Sequence, residues 1–522
     1  MKRHLLMGLG LAALLAGKGV AQDRLQLSPE IHGAPLGFHA DGEAQKVAFQ
    51  QMDPTGYMHW RFWQPGHDFV EIVGDPASGI DQVYVTGMAE RGGVVIGFGR
   101  AGTADTAVLW TLEGGVVDLT PGASVAVASD VSEDGTVVVG WNGPDAFRWS
   151  ASTGMQVLGS FGGQFARGRY CSGDGSTVAG EWSPAGAGDS FYRWNQTTGF
   201  ADISYPGLGW LTGVSRDGSV VFGTSKPNTP MRVYRYTVNG GWRTLPILDA
   251  APNAHAYRVD SNAAGTVVVG YQQGVSLKKR AFVWREGTGT IEIVNPLGPL
   301  GNCVATSCSE DGGVVFGSCV GPGGRHFAYR WTASGGAEVL HLMGTNASEF
   351  VLGSRDGNAL VGELFPPFQA EQLYRWQRGE GGIGSRYGTA QPNSTGLAGR
   401  IHLEGSDRIA DDLLTVSADQ LPANVVGYFL AGSQDDQVPL IGGGQGTLLV
   451  GGNLVRLNRV GEVQMSGATG AIALDLHWNA LPGTPGALPA MVGQAWNFQA
   501  WFRDFNPGPT SNLTDAAGLV LF

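Results

Sequence analysis

The chain has 522 residues, and 45 acidic against 33 basic side chains give it a formal net charge of −12 at pH 7. That charge disfavours nonspecific binding to nucleic acid or to an anionic membrane surface, so neither is predicted as a partner. Glycine supplies 84 of the residues, about twice the usual share. With 43% hydrophobic and 15% charged residues, this composition excludes a disordered chain and is typical of a turn-rich β protein.

Residues 1–21 have the pattern of a secretory signal peptide. Basic residues precede an apolar run from Leu5 to Ala16, and small residues follow at the spacing of a cleavage site. The run is too short to span a membrane, and no later stretch approaches 18 uninterrupted apolar residues, so no transmembrane segment is predicted. We therefore expect a mature chain that begins near Gln22 and is secreted, either extracellularly or onto the cell surface.

A short turn recurs along the chain after this segment. In the copy Ser132–Gly135, Ser stands first, Asp third and Gly fourth, the pattern of a type I turn that ends in a left-handed Gly. The β-branched run 137–139 then forms a returning strand. The Gly residues that end successive turns lie 40 to 51 residues apart, a period typical of propeller blades. They are Gly42, Gly93, Gly135, Gly175, Gly218, Gly265, Gly312 and Gly357.

Each repeat carries a second signal, a pair of aromatic residues that ends a short strand. Phe147 and Trp149 are one such pair, and their alternate spacing places both rings on one face. A further turn and an apolar segment complete a unit of four strands. One such sheet cannot bury its aromatic face, whereas a ring of sheets can. The sequence therefore predicts an all-β fold, a β-propeller of eight four-stranded blades or alternatively seven, with Arg24–Leu27 as the strand that closes the ring.

The repeat resembles the extracellular HAF-type repeat family, which combines an SxDG turn, a VVVG strand and an AFRW-like strand. The matching segments are Ala146–Trp149, Ala281–Trp284 and the turns above, and Asp145 and Arg280 stand where the family has its His. The resemblance covers about residues 28 to 380. It implies secretion and a propeller-like repeat, and it supplies no general catalytic motif.

The aromatic repeat stops after Trp376, and a second domain follows a Gly- and Ser-rich connector. Alternating apolar segments between turn-rich stretches favour a β-sandwich there. The tail resembles C-terminal modules of secreted bacterial proteins that end in a strand like Trp496–Asp504 and a loop like Ser511–Ala516. The predicted organisation is signal peptide 1–21, propeller 22–380, linker 381–395 and C-terminal β-sandwich 396–522.

The sequence has no familiar hydrolase motif and no Cys pair at zinc-ligand spacing, so we expect neither a metal nor another cofactor, and no catalytic residue is assigned. Oxygen-bearing residues near the C-terminus could gather around calcium, but roles in turns are favoured. They are Asp504, Asn506, Asn512 and Asp515.

The four Cys residues fall into two classes. Cys303 and Cys319 lie symmetrically about the turn at 309–313, which places them opposite each other on a hairpin and permits a disulfide in an oxidising compartment. Cys171 and Cys308 stand just before turns, where other repeats have Val, so we interpret them as small core residues.

Function is expected on the face opposite the short turns, because the loops there vary in length and sequence. Trp141, Trp182 and Trp210 lie at or near these loops and are the candidate ligand-binding residues. The leading hypothesis is a secreted noncatalytic propeller scaffold that binds an extracellular protein or polysaccharide. The alternative is an extracellular polysaccharide-degrading enzyme, a glycoside hydrolase or lyase, that uses a pair of carboxylates. Its candidates on the same face are Asp189, Asp249, Glu363 and Glu371.

An Arg between the paired aromatics accompanies the turn Asp in most repeats. Asp134 occurs with Arg148 and Asp174 with Arg193, whereas the second and sixth repeats lack both the Asp and the Arg. This covariation within the chain predicts an Asp–Arg ion pair inside each such blade, because a buried Arg needs an acidic partner.

Overall fold

The computed structural model describes most of the chain after the predicted signal peptide, which lies outside the described residues. The described residues are 23–29, 31, 35–52, 58–65, 67–91, 93–184, 190–226, 230–246, 248, 255–274, 278–298, 301–321, 324–340, 346–347, 351–365, 371–378, 383–405, 409, 412, 414–440, 443–478, 481–483, 486–488, 491, 493–506 and 508–521.

The described chain is built from β-strands, numbered here in chain order. Strands β1 to β17 are Asp23–Leu27, Pro35–Ala40, Val47–Met52, Met58–Trp63, Val70–Glu71, Gln82–Met88, Val95–Ala101, Ala104–Thr111, Gly115–Asp118, Ala126–Val131, Val137–Asn142, Asp145–Ser150, Gly154–Gly159, Phe165–Cys171, Thr177–Ser183, Ser190–Asn195 and Gly199–Asp202. Strands β18 to β34 are Leu208–Val214, Val220–Ser225, Val233–Thr237, Gly241–Thr244, His255–Ser261, Val267–Gln273, Lys279–Arg285, Gly289–Glu292, Cys303–Cys308, Val314–Val320, His326–Thr332, Gly336–Val339, Asn346–Ala347, Leu352–Gly353, Ala359–Phe365, Gln372–Gln377 and Ser385–Tyr387. Strands β35 to β46 are Arg400–Gly405, Leu414–Asp419, Val426–Gly432, Gln434–Pro439, Thr447–Gly451, Val455–Leu457, Gln464–Met465, Ile472–Leu476, Leu481–Gly483, Gly486–Leu488, Ala495–Phe505 and Pro509–Val520.

The first part of the described chain is a β-propeller, as predicted. Seven antiparallel sheets of four consecutive strands follow one another from β2–β5 to β26–β29. The next sheet takes β30 to β33 from the end of this region and β1 from its beginning, with Arg24 opposite Gln377 and Leu27 opposite Tyr374. The N-terminal strand therefore completes the last sheet of the ring, which confirms the expected closure.

The first strand of each sheet is the innermost. β6 contacts β10, β10 contacts β14, β14 contacts β18, and β22 contacts β26, so these strands surround the central channel. The fourth strands lie outside, where Val157 on β13 is 63% exposed. Between the sheets, the alternating apolar residues form separate cores. One of them joins Val137 and Val139 of the third sheet to Val178 and Tyr192 of the fourth.

The recurring turn is held by its own side chains. The Ser132 hydroxyl donates to Asp134 Oδ1 at 2.7 Å and accepts from the Val137 amide at 2.9 Å, while Gly135 has φ 75°. The first repeat departs from the predicted register. Ala44, with φ 52°, holds the left-handed position there instead of Gly42, and Asp41 replaces the Ser and accepts from the Lys46 amide at 3.1 Å. A carboxylate can cap this turn as a hydroxyl does, so the SxDG pattern does not locate the turn of the first repeat.

Backbone hydrogen bonds link each short turn to the next around the channel. Each joins an amide of one turn to a carbonyl of the following turn, and the last bond returns to the first turn, so the ring is continuous. The bonds run Gly42 N to Glu90 O, Arg91 N to Glu133 O, Glu133 N to Gly173 O, Gly173 N to Arg216 O, Asp217 N to Ala263 O, Ala263 N to Glu310 O, Glu310 N to Arg355 O, and Arg355 N to Gly42 O.

The predicted Asp–Arg pair within a blade is wrong. Arg148 Nε donates to the Gly175 carbonyl at 2.8 Å, so the guanidinium reaches the turn of the next sheet. The turn Asp is already engaged by its own turn, because Asp134 Oδ1 also accepts from the Thr136 amide at 3.0 Å. Further Arg-to-carbonyl bonds of the same kind are Arg193 to Gly218, Arg235 to Gly265, Arg285 to Gly312, Arg330 to Gly357 and Arg375 to Ala44.

The four Cys residues lie where the sequence suggested. Cys303 and Cys319 are opposite each other on β26 and β27 and form a disulfide. Cys171 and Cys308 remain thiols and are buried. The seventh sheet thus carries a covalent link between its two inner strands.

The C-terminal part is a β-sandwich joined to the last propeller sheet. β34, which lies within the predicted 381–395 linker, pairs parallel with β1 and antiparallel with β46, so one sheet continues through β46, β45 and β37. A second sheet, β35–β36–β42, packs against it through a shared core that includes Leu403, Val416, Phe498 and Phe502.

Candidate functional site

Ion pairs cluster at the channel mouth on the short-turn face. Arg216 Nη2 lies 2.6 Å from a Glu90 carboxylate oxygen and 2.5 Å from one of Glu133, and Arg355 also pairs with Glu90. A cavity of about 320 Å³ beside them is lined by charges of both signs, including Glu310. Because these charges lie in ion pairs with one another, we interpret this mouth as a structural plug, although Arg216 Nε lacks a hydrogen-bond partner among the described residues.

Two carboxylates, of which Asp130 is the more deeply buried, tie neighbouring inner strands together beneath the plug. Asp130 Oδ2 accepts from the Cys171 amide of the next sheet at 2.8 Å, and Asp260 accepts from the Cys308 amide at 3.0 Å. Burial raises the pKa of Asp130 to about 6. These groups therefore belong to the scaffold rather than to a ligand site.

The opposite end of the channel, on the variable-loop face, is called the open mouth below, and one structural position repeats there on the inner strands. It lies five residues before the first residue of the following turn, near the variable-loop end of each strand. The cross-strand partner of this position lies on the second strand of the same sheet, so each sheet presents a pair of side chains. The pairs in the second to sixth sheets are Tyr84 with Phe98, Val127 with Trp141, Arg167 with Glu181, Trp210 with Thr224, and Tyr257 with Tyr271.

Two of these pairs are stacked aromatic rings beside a cation. Tyr84 and Phe98 stack with centroids 4.7 Å apart, and the Arg100 guanidinium lies 5.2 Å from the Tyr84 ring while it pairs with Asp105 at 2.9 Å. In the sixth sheet, Tyr257 and Tyr271 stack at 4.8 Å, and Lys279 Nζ lies 5.3 Å from the Tyr271 ring. All four rings are partly exposed. These two sheets thus place flat aromatic surface next to cationic side chains, of which Arg100 is paired with Asp105.

Trp141 lies under two guanidinium groups of the next sheet. Arg167 is 5.4 Å and Arg169 4.9 Å from its ring, and Arg167 is also 5.0 Å from the Phe165 ring. Arg169 Nη2 forms an ion pair with Glu181 at 3.0 Å. The third and fourth sheets therefore meet at the mouth in a cation–π cluster, with Trp141 half-buried at its base.

The other two predicted Trp residues differ in surroundings. Trp210 is 45% exposed on β18, at the repeated mouth position. Trp182 is partly buried against the core between the third and fourth sheets, where its ring meets Phe200 edge-on at 5.2 Å. Its indole nitrogen is buried and has no hydrogen-bond partner among the described residues. Trp210 alone of the three thus presents a largely open ring face.

Two of the four candidate carboxylates come close together. Glu363 on β32 pairs across the sheet with Leu373, and Glu371 precedes Leu373 by two residues, so both carboxylates lie on one face of the last sheet. Burial, and then the negative charge of Glu371, raise the pKa of Glu363 to about 7, and burial also raises the pKa of Glu371. Asp189 and Asp249 lie outside the described residues.

The C-terminal Asx residues serve structure. Asp504 Oδ1 accepts from the Ser394 amide at 3.0 Å, Asn512 donates to Asp504, and Asp515 pairs with Arg386. Within the described ranges, no group of His, Cys, Asp or Glu is arranged to hold a metal ion. Over those same residues, no helix is both long and apolar enough to cross a membrane.

No family model and no curated protein matches this chain. Among solved structures, TolB from Acinetobacter baumannii is 15% identical, with a TM-score of 0.30 over 58% of this chain and 79% of that one. Porphyromonas gingivalis dipeptidyl peptidase 4 is 10% identical, with a TM-score of 0.45 over 73% and 64%. Oligogalacturonate lyase from Vibrio parahaemolyticus is 12% identical, with a TM-score of 0.39 over 69% and 98%. These similarities concern the fold alone.

Sequence reasoning missed most of the side chains at the open mouth. Tyr84, Arg167 and Tyr257 were not singled out, because the repeated position changes residue type from sheet to sheet. The signal that could have found them is their constant distance from the turn, since Ala89, Ser172 and Asn262 each follow five residues later. Trp210 occupies the same position, five residues before Ser215, although the sequence predicts it from the variable loop beside it.

Proposed function

We propose that this chain is a secreted, noncatalytic β-propeller scaffold of the HAF-repeat type that binds an extracellular protein or polysaccharide through its variable-loop face. The observation that carries the proposal is Trp210, an exposed ring at the open channel mouth between Arg167 and Tyr257 on the neighbouring inner strands. The opposite mouth is occupied by paired charges, which leaves this face for a ligand. The signal-peptide pattern and the Cys303–Cys319 disulfide support secretion.

The three Trp residues have separate roles in this proposal. Trp210 stacks directly on the ligand, because its ring face is open. Trp141 contacts the ligand through its exposed edge and holds Arg167 and Arg169 in place. Trp182 supports the adjoining loop and offers its rim, since most of its ring packs on Phe200 and the core beneath.

Trp210→Ala should weaken ligand binding by about 2 kcal/mol, or roughly 30-fold, and leave the melting temperature nearly unchanged, because the ring is half-exposed. Binding would be measured on a glycan array and by calorimetry with the best ligand. Phe505→Ala is the matched control, since Phe505 is 63% exposed in the C-terminal sandwich. Unchanged binding, or a large loss of stability, in the Trp210 variant would contradict the proposal.

A second candidate function is polysaccharide degradation, and the paired Glu363 and Glu371 favour it. At neutral pH, Glu363 is divided between its acid and its carboxylate form, while a general acid and a general base are what glycosidic-bond cleavage requires. In this reading the protonated Glu363 donates to the glycosidic oxygen and Glu371 activates water or abstracts a proton.

If that reading is right, the purified protein should degrade a polysaccharide in a substrate panel, and Glu363→Gln should abolish turnover. Activity should also fall as the pH rises through about 7, because the acid form of Glu363 is then lost. Glu113→Gln, at an exposed site, is the control. A wild-type protein that binds polysaccharide without degrading it would eliminate the enzyme and leave the scaffold.

A further inference from the structure

We infer that the ligand at the open mouth carries carboxylate groups and is an acidic polysaccharide, an inference that rests on the proposed binding function. It starts from the charges in the cation–π cluster. Arg167 and Glu181 are directly opposite each other on β14 and β15, yet the Glu181 carboxylate is taken by Arg169, through Nε at 3.3 Å and Nη2 at 3.0 Å. In the part of the chain that the structure describes, Arg167 has no carboxylate partner.

Two other guanidinium groups among the described residues on this side of the ring are paired with carboxylates. Arg100 pairs with Asp105 at 2.9 Å, and Arg280 pairs with Glu292. The cluster of Arg167, Arg169 and Glu181 therefore retains one positive charge on a chain whose net charge is −12. A polyanion that binds here must be held locally, because the chain as a whole repels it.

Arg167 is also preorganised for a planar anion. Its guanidinium lies 5.4 Å from the Trp141 ring and 5.0 Å from the Phe165 ring, and stacking of this kind restricts the side chain while its N–H groups remain at the edge. A guanidinium edge pairs with a carboxylate through two parallel hydrogen bonds. Because the aromatic rings already hold the guanidinium in place, binding a carboxylate costs little further side-chain entropy.

The neighbouring positions favour a sugar polymer as the source of the carboxylate. Trp210 and Tyr257 follow Arg167 at the same height on the next two inner strands, so flat rings and a cation recur along an arc. A polymer of repeating acidic sugar units matches this arrangement, because its ring faces stack on aromatics while its carboxylates meet the guanidinium.

The test compares a polyuronate with the same polymer after its carboxyl groups have been reduced to alcohols. Full-length protein should bind the polyuronate more tightly, and Arg167→Gln should weaken that binding by about 10- to 100-fold while weakening binding of the reduced polymer much less. Arg243→Gln removes an exposed Arg on the outer strand β21 and should change neither affinity. Thermal unfolding of each variant confirms that the fold is retained.

The outcomes separate this inference from the function on which it rests. Equal affinity of the wild-type protein for the two polymers, with Trp210→Ala still weakening both, would overturn the carboxylate and keep the scaffold. An Arg167→Gln variant that loses both ligands equally would also overturn it. Tighter, Arg167-dependent binding of polyglutamate would replace the polysaccharide by an acidic protein segment. Failure to bind any of these polymers would overturn this inference but not the scaffold, which the glycan array and Trp210→Ala test separately.

Discussion

Leu25→Asp should destabilise the protein by about 4 kcal/mol or more, the largest effect expected here. Leu25 is 6% exposed on β1 and packs into the last sheet with Leu360, Tyr374 and Trp376. The substitution removes buried apolar surface and places a carboxylate in an apolar core, where it has to be protonated or drawn out into water. Because β1 is the outer strand of the last sheet, the substitution should destabilise the closure of the ring. Urea unfolding followed by tryptophan fluorescence measures the loss.

Val157→Asp is the matched control for this experiment. Val157 also lies on a fourth strand, but it is 63% exposed, so its substitution should change stability by less than about 0.5 kcal/mol. If Leu25→Asp lowers the free energy of unfolding as little as Val157→Asp does, β1 does not complete the propeller. The pairing of Arg24 with Gln377 would then be dispensable.

Gly180→Ala should cost about 3 kcal/mol, although it adds a single methyl group. A Cβ at Gly180 would lie 2.0 Å from the Arg167 carbonyl oxygen and 2.7 Å from the Tyr192 ring. The carbonyl belongs to the backbone and cannot turn away, so the inner strand has to move. That strand carries Arg167, and we expect ligand binding to weaken together with stability. Thermal unfolding and polyuronate binding are the two measurements.

Gly274→Ala controls for the loss of a glycine as such. A Cβ at Gly274 meets nothing within 4 Å, so that variant should retain wild-type stability. The same collision recurs at equivalent positions of other sheets, where the Cβ would lie 1.8 to 2.0 Å from a carbonyl oxygen: Gly97 against Tyr84, Gly140 against Val127, and Gly317 against Val304. A neutral Gly180→Ala would show that the bulge in the first strand can relax.

The close contact between the repeated strand glycine and the inner strand explains why part of the fold can be predicted from the sequence. The VVVG strand repeats because the bulged inner strand, as between Gly168 and Tyr170, crowds the second strand at one point. Turn chemistry, aromatic pairs and this glycine are all local constraints, so they recur and reveal the ring. The pattern places the first turn wrongly, because Asp41 and Ala44 meet the same constraints with different residue types.

Contacts between neighbouring repeats were harder to predict. The covariation of Asp134 with Arg148 was a true signal of a shared turn, but it cannot distinguish an Arg that contacts its own turn from one that contacts the next. In the structure, Arg148 reaches Gly175. In the sixth repeat, where Val283 stands in place of the Arg, Arg285 lies two residues further along the chain and donates the equivalent hydrogen bond to the Gly312 carbonyl.

The candidate site is hard to predict from the sequence, because its residues occupy a repeated position without a repeated residue type. Side chains at the open mouth share a position but not a type, as Arg167, Trp210 and Tyr257 illustrate. The loop Trp residues were accessible to sequence reasoning, whereas the partly buried packing of Trp182 depends on Phe200, which comes from another strand of its sheet. Which charges remain unpaired is likewise decided by tertiary contacts such as that of Arg169 with Glu181.

Hydrogen–deuterium exchange of the full-length protein, with and without saturating polyuronate, tests most directly whether ligand binds at the open mouth. Our account predicts slower exchange in the presence of ligand at the variable-loop ends of the inner strands, in peptides that cover 165–169 and 208–211, and unchanged exchange in the short turns such as 132–135. Slower exchange confined to the short turns or to the C-terminal sandwich would contradict it.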